Sequence, residues 1–467
     1  MWQLPKRDHQ SEGHHGESCH ENHLFGFATM VGMTETPHIP EPKEQRLSGG
    51  MRLMFALFTI AFGVVAGAFA WAFFFLMNNG IHLLWDVVPG SLEAAGLPAL
   101  FYPLPFCLIG GFIVGLFQKK FGPYPDDMNT VMAQVKETGR YEYDKIGVSF
   151  VGAILPLLFG GSLGPEAGIT GVIAGLCTWA GDRLKFVGKE MRELSTTSTA
   201  AVLSAIFAAP LFGLLAPLAG YVDESNGPKG FQPESIIIPK PTKFAVYLLA
   251  IAGALGAMMG LGALFGGGLT LPHFSEMSFG LTELAWAIPL VVLGTAAGWL
   301  FHAAGAGAKT VANAIGDRPV AKALVAGAFL GCCGIVLPFT MFAGEEQSLE
   351  LMNSWMSMSA IVLILTGFLK VITTQACLNL GWRGGHFFPL IFAGISIGYG
   401  VAAVSGADPV FCLCVVTAAL LGAVMRQPVM AALLLFLCFP LRAALFMLAA
   451  AALGSLIPIP KKWLQKN

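Results

Sequence analysis

Apolar stretches long enough to cross a bilayer recur along this chain, at residues 51–77, 98–117, 244–265, 284–304 and 360–380. A helix needs about 20 such residues to span the hydrocarbon. Backbone in lipid must satisfy its own hydrogen bonds, so the stretches read as helices, and about ten or more buried helices are expected. Composition agrees, because 55% of the 467 residues are hydrophobic and only 12% are charged. A water-soluble chain carries about twice that charge. The net charge of −1 excludes a generally basic nucleic-acid binder. The nine cysteines include no CxxC pair, so neither a disulfide framework nor a zinc ribbon is expected.

Charge placement suggests an orientation. Arg46 and Arg52 flank the first stretch and Lys119 and Lys120 follow the second, while the loop expected at 78–98 has neither. The positive-inside rule puts the N-terminus in the cytoplasm, and Lys461, Lys462 and Lys466 put the C-terminus there too. The first stretch is too long and starts too late for a secretory signal, so a multi-pass protein of a bacterial-type inner or plasma membrane is expected. Residues 1–48 form a polar tail with His9, His14, His15, Cys19, His20 and His23. No turn or helix fixes two of these ligands, so the tail reads as disordered, without a metal. Residues 221–243, with Asp223, Glu224, Pro228, Pro233, Pro239 and Pro241, read as a connecting loop. It separates a first membrane repeat, 49–220, from a second, 244–457, and a basic cytoplasmic end, 458–467, closes the chain.

Each half contains the same interruption. In the first, an apolar helix runs into Gly160-Gly161-Ser162-Leu163-Gly164-Pro165-Glu166 and resumes; in the second, one runs into Gly384-Gly385-His386-Phe387-Phe388-Pro389 and resumes. Both are GxxxP breaks, and Pro210 and Pro428 follow them at similar offsets. Proline early in a helix fixes φ where its missing N–H had no partner, and the glycines allow close backbone approach. The following helix then starts inside the membrane. Its first amides lack partners and its dipole favours negative charge, so two converging starts make an anion site without a full counter-charge. Repeated broken helices of this kind build midplane sites in transporters.

These residues resemble the CLC family of chloride channels and proton-chloride exchangers. Gly161-Ser162-Leu163-Gly164-Pro165 is similar to its Gly-Lys/Arg-Glu-Gly-Pro motif, and Gly385-His386-Phe387-Phe388-Pro389 matches its Gly-x-Phe-x-Pro motif in full. Lys370-Val371-Ile372-Thr373-Thr374 precedes the second break at the family's usual place, and Phe207-Ala208-Ala209-Pro210-Leu211 is similar to Phe-Asn-Ala-Pro-Leu. The resemblance spans residues 50–457. It implies an all-α polytopic membrane protein with two inverted repeats of tilted, broken helices, a homodimer with one anion pathway per subunit, and no appended cytoplasmic regulatory domain. The implied partners are an inorganic anion, chloride first, and the lipid bilayer, with no cofactor.

The departures bear on mechanism. The position of the family's gate glutamate holds Leu163, and the family's serine loop corresponds to Phe121-Gly122-Pro123-Tyr124-Pro125, whose one hydroxyl is that of Tyr124. No tyrosine follows Tyr399; an ungapped count from Pro428 puts Arg442 near the place of the family's tyrosine ligand. The exchangers' internal glutamate falls near Gly220, beside Asp223 and Glu224. Without a gate carboxylate, passage not tightly coupled to protons is expected, with proton-coupled exchange or carriage of fluoride, nitrate or an organic anion as alternatives. Glu166, the one acid between Gly147 and Gly181, is either a carboxylate favoured by a helix dipole or a gate displaced along the chain. The candidate pathway is therefore Gly161, Ser162, Leu163, Gly164, Pro165, Glu166, Gly385, His386, Phe387, Phe388, Pro389 and Arg442. Lys370, Arg383, Arg426 and Arg442 against Asp408 in the last apolar region argue against a cation pathway. The histidines His82, His273, His302 and His386 are scattered, with no HExxH, so an enzyme is not expected.

Overall fold

The structure is a computed structural model that describes residues 49–183 and 240–460, apart from 97, 129, 132–133, 135–137, 139, 269–270 and 275. The histidine-rich tail, the second landmark around Pro210 and the candidates Gly220, Asp223 and Glu224 lie outside the described residues. All regular structure among the described residues is helical. In chain order the helices are α1 Gly49–His82, α2 Val88–Ala94, α3 Pro103–Phe121, α4 Ile146–Leu158, α5 Glu166–Arg183, α6 Lys240–Phe265, α7 Leu281–Ile315 and α8 Pro319–Val336. There follow α9 Glu345–Ser354, α10 Ala360–Asn379, α11 Phe387–Ser405, α12 Pro409–Met425, α13 Pro428–Leu435 and α14 Ala444–Leu456.

Among the described residues, seven helical segments are long and apolar enough to cross a membrane, and four shorter apolar helices accompany them. The chain is thus an integral multi-pass membrane protein. The loop expected at 78–98 is mostly helical instead: α1 passes through a π-helical turn, Leu83–Val87, directly into α2. Pro89 falls at the second residue of α2. The expected connecting loop also ends sooner, since α6 begins at Lys240 with Pro241 in its first turn.

Small residues bring the helices together. Gly63 and Gly67 of α1 abut the α6 backbone at Ala250 and Ala254, Gly111 and Gly115 of α3 abut α8 at Ala323 and Val320, and Gly294 and Gly298 of α7 abut α12. Each pair is spaced GxxxG, the pattern that lets membrane helices approach where lipid offers no hydrophobic drive. A Cβ on Gly67 would lie 2.2 Å from the Ala254 carbonyl oxygen. Most residues of α11 and α12 are buried, whereas Leu264, Leu281, Ile288 and Ile361 on the outer helices are more than two-thirds exposed. The helix that follows the second break therefore lies at the heart of the fold, and the lipid-compatible residues lie outside.

Candidate anion site at the paired helix breaks

Helix α4 ends at Leu158, and Gly160 turns the chain with φ +82°, a conformation that favours glycine. The Gly161 amide then donates back to the Pro156 carbonyl at 2.8 Å, and the Leu163 amide to Gly161 at 2.8 Å. Gly381, φ +94°, plays the matching part after α10. The two breaks then meet. Gly164 donates to the Gly385 carbonyl at 2.9 Å and Gly385 donates to Gly164 at 2.7 Å, an antiparallel bridge. Two loops more than 200 residues apart are thus joined backbone to backbone, at the starts of α5 and α11.

Glu166 fills the junction. It is 1% exposed, and its Oε1 accepts the Phe387 amide at 2.7 Å, one of the partnerless N–H groups at the start of α11. Its Oε2 is buried with no hydrogen-bond partner among the described residues. Gly164 and Gly385 have ordinary negative-side φ values, so neither is needed for the turn itself. Their role is space: a Cβ on Gly164 would lie 1.8 Å from Glu166 Oε2, and one on Gly385 1.9 Å from its Cδ.

The other sequence candidates divide. Gly161, Ser162, Leu163, Gly164 and Pro165 are all buried, as are Gly385, Phe387, Phe388 and Pro389. Leu163, at the gate position of the resemblance, is fully enclosed in the core beside Trp382 and presses on Gly384. The Ser162 hydroxyl lies 3.0 Å from that of Thr374 and accepts from Thr373 at 3.2 Å, which braces the first break against α10. His386 is half-buried, its ring packed on those of Phe301 and Phe387. Arg442 is not brought to the junction. It is exposed in a short 3-10 turn ahead of α14, and among the described residues no hydrogen bond or ion pair ties it to either break. The Tyr124 hydroxyl accepts from Lys145 at 2.7 Å and sits in a loop outside the junction's hydrogen bonds.

Two buried charged residues lie outside the candidate pathway named from the sequence. Lys370, named from the sequence among the cations that argue against a cation pathway, is fully buried; its Nζ donates to the carbonyls of Phe339, Met341 and Phe342 and lies 5.1 Å from the centre of the Phe392 ring. The loop it clamps touches the first break, where the Phe342 amide donates to Gly160 at 3.0 Å. Glu345 follows that loop at the start of α9 and is 7% exposed. The available signal was Gly344-Glu345-Glu346, two acids between apolar stretches.

Residues 110–458 match the model of the family described as voltage gated chloride channel. YfeO of Escherichia coli strain SMS-3-5, provisionally named an ion-transport protein, is 26% identical over 74% of this chain and 78% of its own. YfeO of Escherichia fergusonii is 26% identical over 68% and 71%. Among solved structures, a slow cyanobacterial Cl−/H+ antiporter aligns with a TM-score of 0.68 at 19% identity over 86% of this chain and 94% of that one. A CLC-type fluoride/proton antiporter aligns with a TM-score of 0.64 at 16% identity over 88% and 97%. At such identities the structures establish the fold.

Proposed function

This chain belongs to the voltage-gated chloride channel family, and from that premise we propose that it carries small inorganic anions, chloride first, through the junction of its two breaks, with Glu166 as the group an anion must displace. The observation that carries the reading is the bond from the Phe387 amide to the Glu166 carboxylate. A carboxylate is itself a tethered anion, and it occupies the donor that a free anion would need. Removing it leaves a pocket walled by Gly164, Gly385 and the start of α11, with backbone amides and a helix dipole facing in.

The expectation of uncoupled passage rested on Leu163, which cannot ionise. Glu166 removes that premise, because a side chain that can alternate between carrying a proton and competing for the anion's seat is what linked exchange requires. Proton-linked exchange is accordingly the reading this geometry favours. Two distant fold neighbours described as antiporters agree with it. Assembly as a homodimer and insertion in an inner membrane with both termini cytoplasmic belong to the same proposal. The homodimer is tested by cross-linking and light scattering in detergent, the orientation by protease access to tags on each terminus.

Purified protein in liposomes should dissipate a chloride gradient faster than a potassium gradient, each with a counter-ion shunt. A chloride gradient should also drive uphill proton movement, read with a trapped pH dye. Glu166→Gln should abolish proton movement while chloride still passes. Equal or faster potassium flux would refute the anion reading, and chloride flux without proton movement in the unaltered protein would return the reading to an uncoupled passage.

A further inference from the structure

The helix that begins at Glu166 carries a second enclosed polar side chain. Thr170 stands four residues further along α5, is 1% exposed, and its hydroxyl has no hydrogen-bond partner among the described residues. A threonine inside a helix commonly gives its hydroxyl to the carbonyl of the preceding turn. Thr178 on the same helix, Thr310 on α7 and Thr374 on α10 do so at 2.8–2.9 Å. Thr170 does not. A buried hydroxyl without a partner costs the fold stability, and at this place it is a donor open to a ligand. Thr295, Thr366 and Thr417 are also without partners, but they lie on α7, α10 and α12, none of which starts at a break.

Helix geometry places Thr170 beside the junction. At 3.6 residues per turn it lies about 40° around α5 from Glu166, with Ala174 about 40° further on. Side chains four residues apart share a face, and each leans toward the helix start. Thr170 therefore leans toward the level of Glu166, whose carboxylate takes the Phe387 amide. On its other side Ala174 packs with Val131 and Tyr141, and a Cβ on Gly171 would lie 3.5 Å from the Tyr141 hydroxyl oxygen. That hydroxyl already donates to Asp126 at 2.8 Å. The Thr170 hydroxyl thus lies between the junction and this cluster, with its proton uncommitted.

We propose that Thr170 is a side-chain ligand of the transported anion: once the Glu166 carboxylate withdraws, an anion at the Phe387 amide also receives the Thr170 hydroxyl. One helical turn is about 5.4 Å. Two hydrogen bonds of about 3 Å each span that length, so one small anion meets both donors. The ligand class is a small inorganic anion that accepts hydrogen bonds strongly. A neutral donor raises its affinity without adding a cation that would trap it. This inference rests on the reading of the junction as the anion's seat and is independent of proton linkage.

The test uses the full-length protein in detergent, with chloride titrated calorimetrically in a gluconate buffer. Glu166→Ala is the reference, because it removes the competing carboxylate. Adding Thr170→Val, which keeps the branched shape and removes the hydroxyl, should weaken chloride binding about tenfold or more, as loss of a hydrogen bond to a charged partner does. Adding Thr170→Ser instead, which keeps the donor, should hold the affinity within about threefold. Without chloride, Thr170→Val should leave the unfolding midpoint unchanged or higher, because the hydroxyl has no partner in the fold to lose. Equal chloride affinity with Thr and with Val would overturn the inference and leave the junction reading intact. A lowered midpoint without chloride, or equal losses of affinity with Val and with Ser, would also overturn it, for the side chain would then serve packing. Absence of chloride binding in the Glu166→Ala reference would remove the junction reading and this inference with it.

Discussion

Gly385→Ala isolates the relation between the glycines and the carboxylate. The ideal Cβ would sit 1.9 Å from Glu166 Cδ and 2.0 Å from Oε1, where ordinary contact needs 3.4–4 Å. The carboxylate must move by about 1.5 Å or more to reach ordinary contact, which breaks its 2.7 Å bond to the Phe387 amide. A hydrogen bond to a charged group is worth about 1.5–3 kcal/mol and overpacking costs about 1–3 kcal/mol, so the substitution should destabilise the protein by about 2.5–6 kcal/mol. In a Glu166→Ala background the three nearest atoms that the new methyl meets are gone, because all three lie beyond the Glu166 Cβ. Gly385→Ala should then be close to neutral. The cycle is read from unfolding midpoints of the detergent-purified protein for the parent, both single variants and the double variant. A coupling energy of about 2 kcal/mol or more is expected. Additivity within about 0.5 kcal/mol would refute the reasoning, since it would mean that Gly385 makes room for something other than Glu166.

The remaining expectations concern the surroundings. Lys370→Met should cost about 3–5 kcal/mol, because three buried carbonyls lose their donor and the acidic compartment loses its cation; a loss under about 1 kcal/mol on thermal unfolding would mean that the clamp is dispensable. Ser162→Ala should cost about 1 kcal/mol, because the hydroxyls of Thr373 and Thr374 keep their bonds to the Lys370 carbonyl, and chloride flux should stay within about twofold. A fall beyond about tenfold would put that hydroxyl in the anion's route. Arg442→Ala, at an exposed turn, and deletion of residues 1–45, a tail without fixed ligand geometry, should each leave chloride flux within about twofold, roughly 0.4 kcal/mol in barrier terms. Complete loss in an inserted protein would show that either one takes part in passage.

The two breaks were legible because Gly and Pro in an apolar stretch have few meanings, and their repetition in both halves excluded the plain kink. The backbone pairing of Gly164 with Gly385 was not legible, since no local signal ties residues so far apart in sequence. Glu166 was weighed in the sequence as a gate displaced along the chain, but its partner on the second break was not legible there. The match in Gly161, Gly164 and Pro165 assigned the gate to Leu163, and Leu163 points into the core. The carboxylate reaches the second break from the far side of the proline, at the first residue of α5. A helix start offers a position as well as a dipole: the first residues after a break lie nearest the opposing break, so a side chain from Glu166 can reach the Phe387 amide.

The same distinction governs the glycines. Sequence reasoning took the glycines of the breaks as allowing close backbone approach; the turns themselves are made by Gly160 and Gly381, whose φ values are +82° and +94°. At Gly164 and Gly385 the missing side chain is the feature that matters, because the vacant volume is where Glu166 lies. A carboxylate of similar width to an inorganic anion shapes a cavity that an anion fits once the carboxylate withdraws. Burial of the same group makes its ionised form costly unless a donor meets it, and the Phe387 amide is that donor. One residue thus links the space, the donor and the exchangeable proton.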